Sequence, residues 1–178
     1  IEQLANGLVN NIQALIAYPN INHGGNTQGT LYYHRYSGLL SQKLLPGFFP
    51  YANGCCLLIA NDRLDSSQLF DEDFFMYGED VELSYRLGVN KLTHINKTLA
   101  FHEGNASTKN GSLFYESHIL NSHFLLAKKL SKTRIDFYIL ILFRTIIMSL
   151  RATIRTIRIR SITPSYALIY LFINRLFK

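Results

Sequence analysis

The stretch Phe70-Asp71-Glu72-Asp73-Phe74-Phe75-Met76-Tyr77-Gly78-Glu79-Asp80 constrains this chain most, because five carboxylates and four aromatic rings share eleven residues. Rings and a methionine favour burial, whereas five carboxylates cannot be buried without partners. Both demands are met along a cleft wall, with the rings packed inward and some carboxylates facing a ligand or a metal. Gly78 permits a sharp turn before the acidic pair. Glu79-Asp80-Val81-Glu82 then opens a short helical pattern whose inner side is Val81, Tyr85 and Leu87. Acidic residues also suit a helix N-terminus, so Glu79 and Glu82 have a purely structural reading as well.

The 178 residues, 48% apolar and 13% aromatic, suffice for one domain, or one domain with an appendage, and exclude a disordered chain. The net charge of +6 conceals a division. Residues 1–127 hold 7 Lys/Arg against 11 Asp/Glu, a balance of −4, while residues 128–178 hold 11 against 1, a balance of +10. A basic total made this way is no nucleic-acid signature, and no nucleic-acid partner is expected. Cys55 and Cys56 are adjacent in an apolar run. On a strand their side chains face opposite ways, so they do not pair, and no cysteine spacing suits a metal. Two free thiols fit a reducing compartment.

Along the chain, Leu4, Leu8, Ile12 and Leu15 predict an amphipathic helix over residues 1–16, with a short buried strand at residues 14–18, closed by Pro19, as the alternative for its end. Residues 20–30 read as turn-rich loop and residues 31–36 as an edge strand or extended loop. Arg35, beside tyrosines, either contacts an anionic ligand or stacks on rings at the surface. Residues 37–50 read as loop with one helical turn. The apolar run after Asn53-Gly54 predicts a strand buried on both faces, with Asn53 and Gly54 at its mouth bringing backbone near a substrate or merely turning the chain. Asp62 is a candidate helix cap. Gly88 ends the helix that follows the acidic stretch. Residues 91–95 and 98–101 read as two strands, the second delivering His102 to a polar, glycine-containing loop, where site residues are common. Residues 111–130 predict a helix ending in Lys128-Lys129.

The rest is a different kind of sequence. Residues 137–143 are intensely apolar, and Arg144, Arg151, Arg155 and Arg158 recur as one helical stripe opposite Ile146, Ile147, Leu150, Ile154 and Ile157. The apolar run before Arg144 is too short to span a bilayer. A helix with an arginine stripe and an apolar side fits one lying on an anionic membrane surface, with core packing or partner binding as the alternative. The second apolar piece, residues 166–172, either dips into the membrane or completes a hairpin.

Three motifs taken in order, Asn53-Gly-Cys-Cys-Leu-Leu-Ile, then Phe70-Asp-Glu-Asp-Phe-Phe-Met-Tyr-Gly-Glu-Asp-Val-Glu-Leu-Ser-Tyr-Arg, then Phe101-His-Glu-Gly-Asn-Ala-Ser, resemble the acceptor half of the inverting family-2 glycosyltransferases. The nearest group is the bacterial rhamnosyltransferase-like enzymes of surface polysaccharide synthesis. The resemblance covers about residues 12–127 and implies a GT-A fold, an α/β Rossmann-like architecture, of which residues 1–130 are the acceptor and catalytic-base part and residues 131–178 a basic amphipathic helical tail. It implies Asp80 as catalytic base, Glu79 orienting it or touching the acceptor, and His102 as ligand of a divalent Mn²⁺ or Mg²⁺ bridging the donor diphosphate. It further implies Ser107 and the Gly104 backbone at phosphate, Asn53 and Gly54 bordering the acceptor pocket, and Tyr77 shaping it. The partners implied are a nucleotide-sugar donor such as dTDP-rhamnose and a lipid-linked saccharide acceptor. The place implied is the cytoplasmic face of the bacterial inner membrane, in lipopolysaccharide O-antigen or related synthesis.

Two departures qualify this. Ser67-Gln68-Leu69 stands where the family has Gly-Gly, and residues 1–50 contain no aspartate, hence no D-x-D metal motif. Asp71-Glu72-Asp73 belongs to the acidic stretch and is not that motif. The chain therefore reads as the C-terminal portion of a transferase, with little activity alone. The competing expectation is a non-catalytic, membrane-associated binding module.

Overall fold

The computed structural model describes residues 1–64, 69–103 and 109–176. They form a mixed α/β chain that divides into two compact units. The first contains Ile1–Arg35, Leu39–Asp73 and Glu79–Gly104, and the second Tyr36–Gly38, Phe74–Gly78 and Asn105–Lys178. The helix expected at residues 111–130 lies in the second unit, where it packs with the two helices that follow it.

In the first unit, helix α1 (Glu2–Asn10) buries Leu4 and Leu8 against Ala14, Ala17 and Ala60. It stops six residues short of the expected end, and Ile12 is exposed. The Arg63 guanidinium takes up the carbonyls released there, donating from Nη1 to Leu8 O at 3.0 Å and Ala14 O at 3.2 Å. Strand β1 (Ile16–His23) follows, so the alternative strand at residues 14–18 forms and runs on through Pro19. Its first residues are buried on both faces.

On one edge of β1 lies β7 (Leu92–His102), parallel along its whole length. The two strands expected between residues 91 and 101 are this one strand, with irregular register beside Asn20. The other edge is shared by two short antiparallel strands, β2 (Asn26–Gln28) near its end and β6 (Leu58–Ile59) at its beginning. β1 and β2 make a hairpin where loop was expected. Gly24 and Gly25 both have positive φ, 55° and 93°, as a two-residue turn between antiparallel strands requires, and Asn22 Oδ1 accepts from the Gly25 N–H.

A second sheet has the order β4 (Leu40–Ser41), β3 (Leu31–His34), β5 (Phe48–Tyr51). The expected edge strand at residues 31–36 is thus its centre. Of the doubly buried strand expected after Asn53-Gly54, only the two residues of β6 pair, and they are half-buried. Asn53 Oδ1 accepts from the Cys55 N–H at 3.0 Å, a side-chain turn that competes with any ladder, and Cys55 is exposed. Asn61–Arg63 is a 3-10 turn that Asp62, the candidate cap, does not cap.

Helix α2 (Glu79–Leu87) begins where the acidic pair places it, and Gly88, at φ 85°, ends it. Leu83 packs with Leu15, Ile16, Tyr18 and Ala52, and Tyr85 meets Phe49 at 5.0 Å.

The second unit is helical: α3 (Leu113–Lys129), α4 (Arg134–Ile159) and α5 (Thr163–Leu176). Ser112 caps α3 and Thr133 caps α4. α4 passes without interruption through Arg144 and, by length and composition, is long enough to cross a membrane, which the run before Arg144 alone is not. α5 packs back against α3 and α4, Ala167 joining Leu120 and Met148 in one cluster, so the second apolar piece completes a hairpin.

The arginine stripe points the opposite way from the sequence expectation. Arg144 is fully buried, donating from Nε to Tyr36 O at 2.9 Å and from Nη1 to His123 O at 3.2 Å. Arg151 Nη1 and Arg155 Nε each hold an oxygen of Glu116 at 2.9 Å, and Glu116 is fully buried on α3. These three cations face the helical core. What α4 presents to solvent is its apolar side.

Candidate active site

Asp80 sits in the first turn of α2. Its Oδ2 accepts from the Gly54 N–H at 3.0 Å and its Oδ1 from the Val81 N–H at 2.8 Å. The contact with Gly54 brings the Asn53-Gly54 turn and the acidic pair together. A Cβ at Gly54 would lie 3.4 Å from the Asp80 Cβ, so the backbone approaches the carboxylate directly. α2 is held against this turn from its own middle, where Ser84 Oγ accepts from the Ala52 N–H at 3.0 Å in a buried bond.

The electrostatics follow from the surroundings. Asp80 is surrounded by protein yet keeps some solvent access. Burial pushes its carboxyl up to about 6, and the charge of Glu79 pushes the same way. The two backbone N–H groups favour the charged form and oppose the rise. Glu79 Oε2 is buried with no hydrogen-bond partner among the described residues. Two neighbours complete the setting. Burial, with the Asp80 charge second, pushes the Tyr51 hydroxyl well above its ordinary range, and the same two causes raise the Cys55 thiol. Both therefore remain neutral beside the carboxylate at ordinary pH. The motif reading missed Tyr51 and Cys55. Their signal was adjacency, since both flank Asn53-Gly54 within two residues.

The remaining expected residues lie elsewhere. His102 ends β7 opposite His23, the rings meeting edge to face at 4.9 Å. α2 packs at the Leu15–Ile16 beginning of β1, and His102 pairs seven residues further along, about 23 Å at strand rise. His102 thus joins a histidine pair, not the Asp80 turn. His23 Nε2 is buried and unpartnered among the described residues, and burial with His102 as neighbour lowers its pKa. Among the described residues no three His, Cys, Asp or Glu side chains converge to hold a metal ion. Arg35 follows β3, its N–H donating to Gly47 O at 3.3 Å. Tyr77 belongs to the second unit, where its ring meets Tyr115 at 5.8 Å. Its φ of 66°, followed by 92° at Gly78, makes a left-handed pair immediately before α2. Phe75, expected inside, is exposed, with its ring against His118 at 5.1 Å. Asp71 and Asp73 form a turn of their own, Asp71 Oδ1 accepting from the Asp73 N–H. Ser107 and Gly104 lie outside the described residues.

Comparison of the chain with protein-family models, with curated proteins and with solved structures finds no match. The chemistry of the Asp80 turn is therefore read from its own geometry.

Proposed function

We propose that this chain is the acceptor-side, catalytic-base part of an inverting GT-A glycosyltransferase. It would move a sugar from a nucleotide donor, dTDP-rhamnose by family resemblance, to a lipid-linked saccharide in surface polysaccharide synthesis at the cytoplasmic face of the bacterial inner membrane. The observation that carries the reading is Asp80, a carboxylate with no cationic partner among its hydrogen bonds, fixed by two backbone N–H groups and raised to about 6. A base poised there takes a proton better than an ordinary carboxylate and is still charged at neutral pH. The acceptor hydroxyl gives its proton to Asp80 while its oxygen bonds to the anomeric carbon. The bond to the diphosphate oxygen breaks, and its electron pair leaves with the nucleoside diphosphate. Glu79 keeps Asp80 basic through its charge, and Tyr51 remains a neutral donor beside it. The described residues form no ligand set for the Mn²⁺ or Mg²⁺ that the resemblance implies, so no step is routed through it.

The test is sugar transfer by the chain joined to a nucleotide-binding half, scored in wild type and Asp80→Asn. Loss of about 10²–10⁴-fold in turnover is expected for a general base. Near-full turnover by the variant would remove the assignment. A second reading, a non-catalytic membrane-associated module, is favoured by the absence of aspartate from residues 1–50. Titration of the isolated chain with nucleoside diphosphate and Mn²⁺ separates the two, since measurable binding speaks against the module.

A further inference from the structure

The outward side of α4 is an unbroken apolar stripe. Ile135, Ile139, Leu142, Ile146, Leu150 and Ile154 are all exposed at steps of three and four residues, one helical face over about 29 Å. A helix in water turns such a face inward. Here the inward face carries Arg144, Arg151 and Arg155 instead, each committed to Tyr36, His123 or Glu116. The α4 stripe does not end in solvent alone. At its Ile135 end an open cavity of ≈ 650 Å³ is lined by Lys128, Lys132 and Arg134 together with Phe137 and Tyr138. Tyr138 lines the cavity and is itself exposed beside the stripe. The one acid of the tail, Asp136, is occupied with the Lys132 backbone N–H, and Thr133 caps the helix. The three cations therefore leave the cavity net positive.

We propose that this cavity and stripe bind one molecule of an anionic phospholipid. Its phosphate lies among Lys128, Lys132 and Arg134, and its acyl chain runs along Ile139, Leu142 and Ile146. Charge complementarity selects the headgroup, and the adjoining stripe selects a ligand with a long apolar body. A soluble phosphate leaves the stripe uncovered. A diffuse attraction to an anionic surface needs no cavity and draws equally on the exposed Arg158 and Arg160 at the far end of α4. The proposal uses the helical unit alone, and neither Asp80 nor transfer activity enters it.

The test is flotation of the full chain with vesicles of phosphatidylcholine alone and of phosphatidylcholine mixed with phosphatidylglycerol. Wild type is expected to prefer the mixed vesicles. At roughly fivefold per surface-proximal cation, Lys128→Gln with Arg134→Gln should weaken that binding about 25-fold, and Arg158→Gln with Arg160→Gln by less than about 3-fold. Leu142→Asn with Ile146→Asn, both at exposed positions, should weaken binding to either vesicle. Equal losses from the two cation pairs would overturn the site in favour of diffuse electrostatics. An unaffected stripe variant would overturn the acyl-chain placement. Displacement by inorganic phosphate, at ionic strength matched with chloride, would overturn the lipid in favour of a soluble anion.

Discussion

Glu116 and Asp80 are two carboxylates enclosed by the same chain in opposite ways. Glu116, in the helical unit, is fully buried and clamped by Arg151 and Arg155. Asp80, in the sheet unit, has two backbone N–H groups and an acidic neighbour. An acid held by two cations has a fixed charge and serves the fold. An acid held by amides beside another acid has a charge within reach of proton exchange. The difference separates a carboxylate with a fixed charge from one whose charge can change near neutral pH.

The largest expected effect lies on the structural side. Glu116→Leu leaves two arginines facing an apolar site and should destabilise the helical unit by about 3 kcal/mol, measured by urea unfolding. Glu116→Gln, which keeps acceptor capacity on one oxygen, should lose less. Equal stability of wild type and Glu116→Leu would break the comparison.

Next comes His123, which Arg144 contacts through Nδ1. Burial, with Arg144 and Arg151 nearby, lowers its pKa from 6.5 to about 3. The unfolded chain binds a proton that the fold refuses, so this contribution to stability is complete above pH 6.5 and is lost as pH falls toward 3. Between pH 6.5 and 5 the loss should be about 2 kcal/mol. His123→Gln should flatten that slope in thermal unfolding.

Asp80 titrates with the opposite sign. The folded carboxyl keeps its proton up to about 6 against 3.8 when unfolded, so stability is highest below 3.8 and falls as pH rises through about 6. Asp80→Asn should remove that cost and stabilise the chain above pH 6 by about 1 kcal/mol, allowing for partial solvent access. No stabilisation at pH 8, with no difference from pH 4, would place Asp80 among ordinary surface acids.

The sheet unit was only partly legible in the sequence. The start and stop of α2 followed from Glu79-Asp80 and Gly88, because caps and dipole partners are local. The strand expected after Asn53 shrank to Leu58–Ile59 because the Asn53 side chain made its own turn at the start of the run. The hairpin at Gly24-Gly25 was hidden by the polarity of Asn20, Asn22 and Asn26, although a glycine pair between strands is itself a hairpin signal. The hydrogen bond between Asp80 and the Gly54 N–H joins residues twenty-six apart and has no local signal in the sequence. The position of His102 has none either, because parallel pairing of β7 with β1 is set by contacts more than seventy residues apart. The arginine stripe had the right period and the wrong facing. Periodicity identifies two sides of a helix, and here the partner Glu116, thirty-five residues before Arg151, decided which side turned inward.

The most direct measurement is the titration of the Asp80 carboxyl carbon by NMR in the full chain, assigned by its absence in Asp80→Asn. A midpoint near 6 is expected. A midpoint at the ordinary 3.8 would mean that the Asp80 carboxylate is not poised, and the proposed base would be lost with it.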